Sequence, residues 1–139
     1  MTIPLWVMLG FAAWTLALLT GSIGVYRWYN ILFGQATIAG WRPDGAQGAD
    51  WYQRATRAHL NCIENLPVYS AVALVAALAG VGGNDMNALA ITVLVARIGQ
   101  SLVHITRPQT DRVVAVRFTL FSVQLVCMVG MGVLIALRA

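Results

Sequence analysis

Apolar residues in this chain come in long blocks separated by short polar stretches, and the blocks have the length of membrane-crossing helices. The first is uncharged from Met1 to Tyr26. Four spans are predicted, at about residues 3–30, 51–80, 86–106 and 111–137, and each provides the ~20 residues that a helix needs to cross a hydrocarbon core. The breaks carry the expected punctuation: a stretch with Gly, Pro and Asp at residues 34–50, a turn at Gly80, Gly82 and Gly83, and Pro108 after the third span. The opening block lacks the basic n-region of a cleaved signal and, at 26 residues, is too long for an h-region. It is expected to remain as the first span.

Composition sharpens this picture. The 139 residues are 59% hydrophobic and only 10% charged, with a mean hydropathy of +0.72, whereas soluble domains carry roughly 25% charged residues. A soluble monomer is excluded. The expectation is one all-α domain over residues 1–139, an integral membrane four-helix bundle with no room for a separate water-soluble module. All nine basic residues are arginine. A guanidinium keeps its charge wherever it sits and presents a planar fork suited to carboxylate or phosphate, so anionic ligands or headgroups are the expected partners. Nucleic acid is not, because no basic tract stands free of the apolar blocks. Cys62 and Cys127 fall within spans without metal-type spacing and read as small buried apolar residues. No metal cluster, phosphate loop or Ser/His/Asp arrangement is visible, and the five tryptophans read as interfacial or packing residues.

Loop charge sets an orientation. Arg27, Arg42, Arg54 and Arg57 flank or occupy the first loop, and Arg107, Arg112 and Arg117 the third, while the second has only Asp85. The positive-inside rule places the first and third loops in the cytoplasm and both termini opposite, with Arg138 as the one exception.

The second span, about 29 residues, would run roughly 43 Å against a hydrocarbon core of about 30 Å, so its first turns must protrude. There Arg54, Arg57, Asn61 and Glu64 fall within about 80° on one helical face. The third span repeats the spacing with Arg97, Gln100, His104 and Arg107, and being antiparallel brings them to the same half. Two such stripes predict a shared polar cleft. An ionised residue facing lipid costs about 2.5–3.5 kcal/mol, so these faces should point into the bundle, a neighbouring subunit or a wet cavity. Arg42, Arg138 and Arg54 can instead snorkel to the interface. Glu64 could pair with Arg57 or Arg97, yet Arg57, Arg97, Arg107, Arg112 and Arg117 outnumber Glu64 and Asp111. The surplus favours an anionic ligand.

The segment Arg57-Ala58-His59-Leu60-Asn61-Cys62-Ile63-Glu64, with Pro67 shortly after, resembles the second-helix signature RAHxNxxE of the MAPEG superfamily, membrane-associated proteins in eicosanoid and glutathione metabolism. Chain length, four spans, the long first loop and Ala96-Arg97 extend the resemblance along essentially the whole chain, which looks like a bacterial member of the inner membrane. The resemblance implies a homotrimer that binds glutathione as cosubstrate between subunits near the cytoplasmic face, with a lipophilic substrate arriving from the bilayer. It implies that Arg57, Asn61 and Glu64 bind the peptide, Glu64 taking the amine, and that Arg27 reaches the ligand of the adjacent subunit; the stripe spacing adds Arg107 as a weaker candidate. Arg97, Gln100 and His104 align with ligand-facing positions, although several members have tyrosines where Gln100 and His104 stand. Arg112 is the best counterpart of the arginine beside the thiol, with Arg117 in reserve. His59, opposite the stripe, reads as structural, and His104 as either a ligand donor or a structural hydrogen-bonder.

Three function classes stay open on this reading. A glutathione transferase or peroxidase acting on hydrophobic electrophiles leads; a non-catalytic lipid- or glutathione-binding relative is motivated by the missing tyrosines; a transport subunit would need an oligomer.

Overall fold

The computed structural model describes residues 1–41 and 47–139, and among them the chain forms helices and turns but no strand. Four helical stretches are long and apolar enough to cross a membrane: Ile3–Leu32, Asp50–Leu78, Asn84–Thr106 and Asp111–Arg138. The first comprises α1 (Ile3–Leu18), a π-helical segment (Leu19–Gly24) and α2 (Val25–Leu32). The others are α3 (Asp50–Leu78), α4 (Asn84–Thr106) and α5 (Asp111–Arg138), so the chain is a multi-pass, all-helical membrane bundle. Local chemistry explains the ends. Asp50 and Asp111 stand in the first turns of α3 and α5, where the helix dipole favours a negative charge. Thr110 caps α5 by accepting from the Val113 amide at 3.3 Å. Arg107 precedes Pro108, which disfavours helical backbone; α4 stops at Thr106 and Arg107 is extended at φ −112°, ψ 136°.

Lipid tails are as apolar as leucine, so helices in a membrane associate through close contact of small residues rather than through exclusion from water. The buried face of α3 accordingly carries Ala55, Ala58, Ala73 and Ala76. Gly10 and Gly130 admit α4 from two sides: a Cβ at Gly10 would stand 3.1 Å from Leu94, and one at Gly130 3.3 Å from Leu89. The central helix is α4, in contact with α1, α3 and α5, whereas α5 leans on α4 and touches α3 only lightly. A groove therefore opens between α3 and α5. Polar pins cross the apolar core: Tyr69 donates to the Pro4 carbonyl at 3.0 Å, and His59 Nδ1 to that of Thr15 at 3.2 Å, in keeping with its structural reading. Both cysteines are buried and free.

Two of the arginines expected at the interface have partners within the chain. Arg138 makes a two-pronged contact with Asp85, at 3.0 and 2.5 Å, which fastens the end of α5 to the start of α4. Arg54 donates from Nε to the Ile105 carbonyl at 3.1 Å and ties α3 to α4. Arg42 lies outside the described residues.

Candidate functional site

The start of α3, the end of α4 and the start of α5 meet at one end of the bundle, and their polar residues line two successive recesses along α3. The outer one is formed by Asp50, Gln53, Arg54, Arg57, Pro108 and Gln109. The inner cleft, about 270 Å³, lies in the groove between α3 and α5 and is lined by Asn61, Glu64, Gln100, Val114, Arg117, Phe118 and Phe121. The α3 stripe thus supplies both recesses. From α4, only Gln100 reaches the inner cleft.

Each remaining α4 residue has its own surroundings. Arg97 is 1% exposed, its guanidinium 5.6 Å from the centre of the Phe11 ring on α1, and its Nε and Nη2 have no hydrogen-bond partner among the described residues. His104 is 3% exposed, again with neither ring nitrogen partnered there. Arg107 stands one residue past the helix, in extended backbone, and lines a separate recess with Arg112. The 80° stripe assumed an unbroken helix, and the break before Pro108 removes its last member.

Charge in the cleft is largely uncompensated. Among the described residues the ion pair within 4.0 Å is Arg138 with Asp85, so the pairing of Glu64 with Arg57 or Arg97 does not form. Glu64 and Arg57 are exposed on α3, and Arg117 Nε is buried without a hydrogen-bond partner among the described residues. Gln100 is partly committed: it donates to the Arg117 carbonyl at 3.2 Å and accepts from Gln124 at 3.1 Å. Arg27 is held within its own chain, donating from Nε to the Tyr52 hydroxyl at 2.8 Å, with its guanidinium 5.5 Å from the Trp41 ring centre.

Tyr52, Gln124, Phe118 and Phe121 escaped the sequence reading. Gln124 had a usable signal, an amide within the most apolar span, where an unsatisfied polar group is costly. The phenylalanines, at one and four residues past Arg117, carried none that separates a cleft wall from a lipid face.

This arrangement can receive an ammonium at Glu64 and an anion at Arg117, beside Phe118 and Phe121. Compared with known proteins, the chain matches the family described as MAPEG family over residues 4–137. No curated protein and no solved structure matches it.

Proposed function

The chain belongs to the MAPEG family, and from that premise we propose that it is a glutathione-dependent transferase or peroxidase acting on hydrophobic electrophiles at a subunit interface of a homotrimer. The observation that carries the reading is the cleft in which Asn61, Glu64, Gln100 and Arg117 face Val114, Phe118 and Phe121. Glutathione has two carboxylates and one amine. Arg57, in the adjoining recess, suits a carboxylate and Glu64 the amine through charge-assisted bonds. The cleft measures about 270 Å³, and a second wall from a neighbouring subunit is part of the proposal. Arg27, and the buried Arg97 and His104 with their unpartnered nitrogens, belong to the same proposed site.

A free thiol ionises near pH ~8.5, so it needs a neighbouring positive charge to be a good nucleophile at neutral pH. Of the two arginines offered for this role, Arg117 lines the cleft, whereas Arg112 and Arg107 line another recess; geometry favours Arg117. The thiolate would form a sulfur–carbon bond to the electrophile while the leaving group departs with its electron pair. With a hydroperoxide, two glutathione molecules would give a disulfide, an alcohol and water. The non-catalytic reading draws on one observation, the amide and imidazole of Gln100 and His104 where tyrosines contact the ligand in several relatives. The arginine-rich end is assigned to the cytoplasm and the protein to a bacterial inner membrane.

Calorimetric titration with glutathione tests binding. Arg57→Ala or Glu64→Ala is expected to weaken it roughly 10- to 150-fold, the equivalent of one charge-assisted bond of about 1.5–3 kcal/mol. Unchanged affinity in both folded variants places the site elsewhere, and binding by the parent without turnover of a model electrophile selects the non-catalytic reading.

A further inference from the structure

The recess that holds Arg107 and Arg112 plays no part in the proposed chemistry. Val103, Arg107, Thr110, Arg112, Val113 and Val116 enclose about 370 Å³ where α4 ends and α5 begins. On α5, Arg112 and Arg117 are five residues apart, which at 100° per residue sets them about 140° apart around the axis. The recess and the glutathione cleft therefore open on different faces of α5.

Three features describe what would fit. Neither guanidinium has an ion-pair or hydrogen-bond partner among the described residues, both are exposed, and no carboxylate lines the recess. Beside the arginines and Thr110, the lining is apolar: Val103, Val113 and Val116. The arginines sit at the ends of candidate spans, and basic groups between helices near a membrane surface attract anionic lipid. A zwitterionic peptide is poorly matched, because nothing in the lining receives an ammonium. A free anion would leave the valine walls unused.

We propose that this recess binds an anionic membrane phospholipid, its phosphate between Arg107 and Arg112 and an acyl chain along Val103, Val113 and Val116. Such a lipid would hold the α4–α5 hairpin at a fixed height without entering the reaction site.

Native mass spectrometry of the full chain from zwitterionic detergent tests this with phosphatidylglycerol, phosphatidylcholine of the same acyl chains, and inorganic phosphate. One phosphatidylglycerol per chain is expected to be retained in preference to phosphatidylcholine. Arg107→Gln/Arg112→Gln should weaken retention about tenfold or more, while Arg138→Gln, at the opposite end, should not. Val116→Trp, which fills the recess and leaves both arginines, should also expel the lipid. Equal retention by the parent and by both recess variants overturns the proposal, as does equal retention of the two lipids. Displacement of the lipid by an equal concentration of inorganic phosphate would reveal a free-anion site and likewise overturn it. Loss of glutathione affinity in the double variant with lipid retention intact would assign the recess to the reaction site instead.

Discussion

Gly48 shows how one residue can hold the approach to the site. Its φ of +112° lies where side chains are strained, and a Cβ there would stand 3.0 Å from both Tyr26 and Tyr52. Those rings are stacked at 4.4 Å. Tyr26 also accepts the Ala49 amide at 3.0 Å, and Tyr52 is the partner of Arg27. Gly48→Ala is therefore expected to destabilise the fold by about 1–3 kcal/mol, through backbone strain and displacement of the ring pair. A thermal melt in detergent together with the near-ultraviolet dichroism of the aromatic cluster checks it. Residue-scale features of this kind were only partly legible. The RAHxNxxE spacing marked Arg57, Asn61 and Glu64 because a linear helix face carries that information. The partners of Arg27, Arg54 and Arg138 were not legible, since each contact joins elements far apart in sequence.

At the scale of elements, hydropathy placed all four spans within two residues of their observed ends, because the cost of polar backbone in lipid leaves few alternatives to a long helix. It could not reveal the π segment at Leu19–Gly24, where the apolar pattern is the same for either winding. A π turn holds an extra residue and so re-phases α2 relative to α1. Deleting Gly21 should restore α-helical winding and rotate Arg27 by about 100° from Tyr52. The expected result is unchanged far-ultraviolet helicity with loss of the near-ultraviolet aromatic signal; retention of that signal would show that α2 is positioned by its own contacts. The Gln100–Gln124 contact joins α4 to α5, and comparable interhelical polar pairs average about 0.6 kcal/mol with a maximum near 1.7. A double-mutant cycle with Gln100→Leu and Gln124→Leu, read by unfolding in micelles, should return a coupling in that range.

For the whole molecule, asymmetry matters most. Arginines gather at the end where α3 begins, while at the other end Asp85 and Arg138 neutralise one another. The inner cleft belongs to the charged end, yet Phe118 on its wall is 68% exposed. A lipophilic reactant that reaches the cleft from the bilayer, as proposed, changes what concentration means for the enzyme. Glutathione would be counted per litre of water, but an electrophile confined to the membrane is counted per lipid. At subsaturating electrophile, doubling the phospholipid in proteoliposomes at fixed protein and fixed total electrophile should roughly halve the initial rate, because it halves the mole fraction met by the cleft. The glutathione dependence should stay as it was. A rate indifferent to lipid content would mean that the second reactant arrives through water. A surface-dilution response would make the bilayer itself the reservoir against which KM has to be expressed.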